Sequence, residues 1–282
     1  MSNITVLSPN GLIGRRLVPL LRQASVNTRC ASRTHGEVFF DWNDPSTFRQ
    51  SLEGSDAVYL VPPPMVASPS KVVAQLLRVA VDIGIRRVVA VSSLGVTFPY
   101  EPETSGRLQF EDVVRTSGIA WSILRPSGFM QNFSEGFMLP GIRHAKSIAS
   151  IAGDGKVAMV DCSDVAAVAM AALTRDDQLG RTLEITGPAP IGFAEVAEII
   201  SAVSGHSIVY HPVEKERMAQ MMRGAGVPPD YASILLRDQE AIRNGHAAAV
   251  STTVHDVTGR SANSFRQFAT ESAHAWTPSS TG

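Results

Sequence analysis

The chain has 282 residues, 44% of them apolar and 18% charged, with a formal net charge of −1 at pH 7. That composition suits a packed core and excludes extensive disorder, and the near-neutral balance without a basic run gives a nucleic-acid partner no electrostatic footing. No apolar run reaches the length of a membrane span, and no basic leader precedes the first strand, so a cytoplasmic protein without a signal peptide or membrane partner is expected. In chain order, residues 4–7 read as a buried strand and 11–24 as a helix with Leu12, Ile13, Leu17, Leu20 and Leu21 on one face. Strands are predicted at 26–31, 38–40 and 57–61, the last closed by Pro62, Pro63 and Pro64. An amphipathic helix at 71–83, a strand at 87–91, a helix at 107–116 and a strand at 120–124 follow. The second half carries helices at 163–174 with Ser163 as N-cap, at 193–203 ended by Gly205, at 214–222 and at 229–243, and a strand at 183–186. The tail, 273–282, ends in small polar residues and is expected to fray.

Repeated β-α-β units of this length specify an α/β, Rossmann-type doubly wound parallel sheet. Residues 1–126 would form its dinucleotide-binding core. Residues 127–282 would form a smaller C-terminal, substrate-covering lobe of mixed α/β structure, intertwined with that core. Cys30 and Cys162 are far apart in apolar surroundings and read as inert buried thiols. The seven histidines show no pair at metal-ligand spacing, so no metal site is predicted.

The chemistry begins at the first turn. Ser8-Pro9-Asn10-Gly11-Leu12-Ile13-Gly14 follows a strand and opens a helix, where free N–H groups and the helix dipole favour a pyrophosphate. The spacing is Gly-x-x-Gly-x-x-Gly with Ser8 in place of the first glycine, and Pro9 removes one donor. An ordinary strand-to-helix turn, with cofactor binding weakened or lost, is the competing reading. The second strand ends in Cys30-Ala31-Ser32-Arg33 with no carboxylate for a ribose 2′-hydroxyl. Arg33 can pair with a 2′-phosphate, which favours NADPH (NADP+) over NAD; a solvated surface arginine is the alternative.

Ser122-Ile123-Leu124-Arg125-Pro126-Ser127-Gly128-Phe129-Met130-Gln131-Asn132-Phe133, Gly153-Asp154-Gly155-Lys156 with Val160 to Ala166, Glu195-Val196-Ala197 through Ser204-Gly205, and Phe265-Arg266-Gln267-Phe268 together resemble the NmrA-like branch of the atypical short-chain dehydrogenase/reductase superfamily. Asp41-Trp42 and Tyr59-Leu60-Val61-Pro62 further resemble its subset of ergot-alkaloid-type reductases and bacterial quinone reductases. The resemblance implies NAD(P)H at the strand ends and a cleft between the lobes for an apolar, often aromatic or unsaturated, small molecule. It implies that Ser8, Asn10, Gly11, Leu12, Ile13 and Gly14 hold the pyrophosphate and Arg33 the 2′-phosphate. Val61 and Pro62 would border the adenosine, and Ser92 and Ser93 the nicotinamide.

The Tyr-x-x-x-Lys pair of the wider superfamily is missing. Glu111 fits the family's glutamate, Arg107 stands where lysine is common, Glu103 stands in the tyrosine register, and Tyr100 is out of register. Ser92, Arg107 and Asn132 are the catalytic candidates. Arg107 would hold the nicotinamide or pair with Glu103 or Glu111 on its own helix, and Ser92 and Ser93 would meet ligand or cap a turn. Phe129, Gln131 and Phe133 are candidates for the substrate wall, against core packing for the aromatics; Phe129 and Phe133 would share a helix face. His144 is a weaker candidate, and Met218, Met221 and Met222 form an apolar face for a lid, the core or a homodimer. Three functions remain open at this point: a reductase passing hydride to a quinone, enone or iminium; an NADP(H)-sensing regulatory protein; and a non-redox cyclase or isomerase on a Rossmann scaffold.

Overall fold

The computed structural model describes residues 3–277. The first half alternates as β1 (Asn3–Leu7), α1 (Gly14–Gln23), β2 (Asn27–Ser32), β3 (Val38–Phe39), α2 (Thr47–Leu52), β4 (Ala57–Leu60), α3 (Ser70–Asp82), β5 (Arg87–Val91), α4 (Gly106–Arg115) and β6 (Ala120–Pro126). The second half holds β7 (Ser147–Ser150), β8 (Lys156–Val157), α5 (Cys162–Thr174), β9 (Arg181–Ile185), β10 (Ile191–Gly192), α6 (Phe193–Ser204) and β11 (Val209–Pro212). After these come α7 (Lys215–Gly224), α8 (Pro229–Arg243), α9 (Thr253–Thr258) and α10 (Phe265–Glu271).

The main sheet is parallel throughout, in the order β3-β2-β1-β4-β5-β6-β9. Its central strands are near-continuous apolar runs because both faces are covered. On one face Leu17 and Leu21 of α1 pack with Val165, Val168 and Leu173 of α5 against Ile4, Val6 and Tyr59. On the other, Phe48, Leu76, Leu77, Phe110 and Val114 of α2, α3 and α4 pack against Leu7, Val58, Leu60 and Ile123. Each such aliphatic side chain contributes about 2 kcal/mol on burial. The chain reverses its direction of winding between β1 and β4, and the loops at the carboxyl ends of these strands flank the crevice that such a switch point creates.

Residues beyond 126 join both layers: α5 and β9 complete the sheet sandwich, whereas β7 pairs with β11, and β8 with β10, in a second lobe. That lobe has its own core of Met130, Phe133, Ile148, Phe193, Val196, Ile200, Phe265, Phe268 and Trp276. Three expectations change. The N-cap of α5 is Asp161, which accepts from the Ser163 N–H at 2.7 Å, because the helix begins one residue earlier than its Ala-rich run suggests. Met218 and Met222 pack with Ala232 and Leu236 of α8, while Met221 is exposed, so the three methionines do not form one face. Of the tail, Trp276 is 1% exposed and its Nε1 donates to the Phe133 carbonyl at 2.7 Å, which anchors this end; residues 278–282 lie outside the described residues. No helix among the described residues is long and apolar enough to cross a membrane.

Candidate active site

The phosphate turn is built around Ser8, whose φ is +61°. It therefore takes the left-handed conformation that a glycine adopts freely and that costs another L-residue about 1–2 kcal/mol. The Gly11 N–H then donates to the Ser8 carbonyl at 3.1 Å, closing a turn with Pro9 in its second position, where the ring's fixed φ belongs. A Cβ on Gly14 would lie 2.2 Å from the Ser8 carbonyl oxygen and 3.0 Å from the Pro9 Cα, and one on Gly11 would lie 3.3 Å from that oxygen. Both glycines let the turn fold onto itself. The helix starts only at Gly14, and the Leu12 and Ile13 N–H groups have no hydrogen-bond partner among the described residues. Free amides at a helix N-terminus beside a backbone without side-chain cover are the donor set a pyrophosphate takes.

Neighbouring loops complete this edge. Asn10 Nδ2 donates to the Thr34 carbonyl at 3.2 Å, tying the turn to the loop that carries Arg33, which is exposed and has no side-chain partner among the described residues. Leu12, Val61 and Phe129, from three different loops, are half-buried and pack against the same core. Pro62 is also half-buried at the β4 end. From the second lobe Glu135 reaches α1 and pairs with Arg15 and Arg16, each at 2.5 Å.

At the end of β5, the Ser92 N–H donates to the Leu124 carbonyl at 2.7 Å, and its Oγ donates to Glu111 Oε1 at 2.6 Å. Glu111 is fully buried on α4 and also accepts from Arg125 Nε at 2.9 Å, a second Arg125 nitrogen at 2.7 Å and Arg115 at 2.5 Å. Burial opposes its ionisation, but hydrogen bonds from Arg125 and Ser92 outweigh that and hold the carboxyl below its usual range. Ser93 caps the 3-10 turn Leu94–Thr97, its Oγ accepting from the Gly95 N–H at 3.1 Å.

Arg107 pairs with neither Glu103 nor Glu111. Its guanidinium meets Glu101 at 2.6 and 3.0 Å and, across the lobes, Asp238 of α8 at 2.7 and 2.9 Å. Arg237 also reaches Glu101 at 2.9 Å. A Cβ on Gly95 would lie 2.5 Å from an Arg107 nitrogen and 2.8 Å from an Asp238 oxygen, so the Leu94–Thr97 turn passes close beside this ion pair. Burial pushes the Asp238 carboxyl up, partly offset by Arg107, whereas Glu101 is held low because Arg107 and Ser105 bonds outweigh its burial. The Tyr231 phenol, on the same helix as Asp238, is raised by burial. With both forks of Arg107 engaged, its donors serve lobe docking.

The segment after β6 divides. Phe129 is half-buried against the main-sheet core, but Phe133 is 1% exposed inside the second core, its ring edge-on to Phe265. The two phenylalanines share no face because residues 130–133 form a tight 3-10 turn. Gln131 is 1% exposed and braces the start of α5, donating to Asp161 at 2.9 Å and accepting from the Cys162 N–H at 2.9 Å, so its amide is engaged inside the protein. Asn132 is half-buried; its backbone N–H donates to the Phe129 carbonyl at 3.1 Å, and its side-chain amide has no hydrogen-bond partner among the described residues. His144 is exposed. Glu101, Glu135 and Asp238 escaped sequence reasoning: Arg107 and Asp238 are 131 positions apart, and Arg16 and Glu135 are 119 apart, so no local spacing signals either contact.

A family profile described as NAD(P)H-binding matches residues 10–176, more than half of the chain. The oxidoreductase YesF of Bacillus subtilis strain 168, itself named uncharacterized, is 34% identical over 97% of this chain and 96% of its own length. The (4-alkanoyl-5-oxo-2,5-dihydrofuran-3-yl)methyl phosphate reductase of Streptomyces griseus is 36% identical over 84% of this chain and 83% of its own. Among solved structures, the NADPH-dependent quinone oxidoreductase QOR2 of Escherichia coli, complexed with NADPH, has the same fold: TM-score 0.80 over 95% of this chain and 99% of that one, at 18% identity. With that profile covering residues 10–14 of the turn and Glu111, and an oxidoreductase and a reductase aligned over most of its length, the chain belongs to the NAD(P)H-binding family and is an oxidoreductase.

Proposed function

We propose that this protein is an NADPH-dependent reductase that passes hydride to an electrophilic small molecule of the quinone, enone or iminium type. The observation that carries the reading is the left-handed Ser8, which supplies the turn geometry of the missing glycine and so removes the chief reason to expect a scaffold that has abandoned its dinucleotide. Leu12 and Ile13 would offer amides to the pyrophosphate, and Arg33 a bidentate cation to the 2′-phosphate. When bound, the reduced nicotinamide supplies the hydride, leaving NADP+, and water supplies any proton the product needs. Acceptors that are already electrophilic suit a site without the Tyr-x-x-x-Lys pair, because they need no strong acid at the reacting carbon. Phe129, half-buried against the same core as Leu12 and Val61, favours a flat apolar acceptor, with Asn132 available to orient its polar edge. The separate, buried, unpaired Cys30 and Cys162 fit a reducing, cytoplasmic compartment.

The test is NADPH oxidation with a naphthoquinone, a cyclic enone and a cyclic iminium, alongside calorimetric titration with NADPH and NADH. Turnover of at least one acceptor with tighter NADPH binding is expected. Tight NADPH binding with no turnover across such a panel would overturn the reductase reading.

A further inference from the structure

Ser92 stands just past the carboxyl end of β5, and a serine hydroxyl left free there would be able to donate to a substrate oxygen. Its surroundings here dictate the opposite polarity. The backbone is pinned by the bond from its N–H to Leu124, and the Oγ lies 2.6 Å from Glu111 Oε1. Glu111 receives a two-pronged contact from Arg125 and a further one from Arg115, and no solvent reaches it. A carboxylate so placed stays ionised and only accepts. The hydroxyl has one hydrogen and two lone pairs. Its hydrogen is committed to Glu111, and Ser92 is half-buried, so what its hydroxyl can offer a ligand is lone-pair density.

We propose that Ser92 acts in the cleft as a hydrogen-bond acceptor fixed by Glu111, and that the group it reads is an N–H donor, either the carboxamide of the nicotinamide or a nitrogen of the substrate. The proposal rests on the reading of this cleft as the dinucleotide site. Glu111 is then a positioning residue, touching no ligand itself. Two consequences follow for the chemistry. A substrate carbonyl oxygen gains no hydrogen bond from Ser92, and the proton that completes a reduction does not come from it. An acceptor that carries its own N–H, such as a protonated imine, is matched where a quinone is not.

The experiment uses the full chain and its Ser92→Ala and Ser92→Thr variants. Calorimetry compares NADPH with its 3-acetylpyridine analogue, in which a methyl ketone replaces the carboxamide and its N–H donors. Steady-state kinetics compares a protonated cyclic imine with a naphthoquinone. If the carboxamide is the donor, Ser92→Ala weakens NADPH binding by roughly three- to tenfold, leaves the analogue's affinity within about twofold, and Ser92→Thr restores the difference. If a substrate nitrogen is the donor, NADPH binding is unmoved by Ser92→Ala, while KM for the imine rises by about the same factor and that for the quinone stays put. Equal losses for NADPH and its analogue, equal losses for imine and quinone, or no loss anywhere would each overturn the acceptor role. Failure of the unaltered protein to bind NADPH is a separate result: it removes the dinucleotide reading first, and this proposal with it.

Discussion

At the scale of single residues, the phosphate turn is held by a conformation that its sequence disguises. Ser8 sits at φ +61° and lends its carbonyl to Gly11, while the space beside that carbonyl admits no Cβ on Gly14. Ser8→Gly is therefore expected to leave NADPH affinity within about twofold and stability within about 1 kcal/mol, because relief of the left-handed strain is offset by the entropy of glycine. Gly14→Ala has no such compensation. It must displace backbone, and a loss of about 2 kcal/mol in urea unfolding is expected together with weakened NADPH binding. Arg33 is a test of cofactor choice: Arg33→Ala should cost about tenfold or more in NADPH affinity and leave NADH unchanged, read by the same titration. Equal effects on both cofactors would place Arg33 among ordinary surface arginines.

At the scale of elements, α4 does two jobs with two ion-pair systems one turn apart. Glu111 gathers Arg125, Arg115 and Ser92 under the sheet edge, and Arg107 docks α8 through Asp238. Glu111→Ala would strand Arg125 in a site where it is mostly buried, and a loss of about 3 kcal/mol in urea unfolding is expected. The pH dependence has a definite sign. Because the folded state holds the Glu111 carboxyl below its usual range, its contribution is complete above that range and drains away as pH falls through the lowered value. Glu111→Gln should flatten this acid limb, whereas Asp238, raised by burial, acts in the opposite direction and adds stability as pH falls. Arg107→Ala should speed amide hydrogen exchange across 229–243 with little change in β1 or β4. Arg107→Lys should rescue it only in part, since one ammonium does not serve two carboxylates in parallel pairs.

At the scale of the whole molecule, the lobes share layers instead of meeting at a linker. Strand β9 and helix α5 belong to the sheet sandwich, and Trp276, near the end of the described chain, is bonded to Phe133. A single thermal transition is expected, raised by NADPH through binding linkage by about 2.7 kcal/mol at a hundredfold excess over Kd, and less by NADH at the same concentration. Two separate transitions, with only one moved by NADPH, would contradict the shared-layer architecture.

What the chain's sequence determined on its own was local. The alternating apolar runs from residue 4 to residue 126 specified the parallel sheet, because strands buried on both faces have little freedom in composition. Gly11 and Gly14 marked the phosphate turn because the backbone approach there excludes a side chain. The resemblance carried by the Leu124-Arg125-Pro126 stretch pointed to the family. The tertiary structure decided the rest, since it rests on contacts between distant positions. It assigned Phe133 to the second core, Gln131 to Asp161 and Cys162, Arg107 to Asp238, and Glu135 to Arg15 and Arg16. It also settled which way the Ser92 hydroxyl points, because a hydroxyl's role depends on the acceptor that claims its proton, and Glu111 stands 19 residues further along the chain.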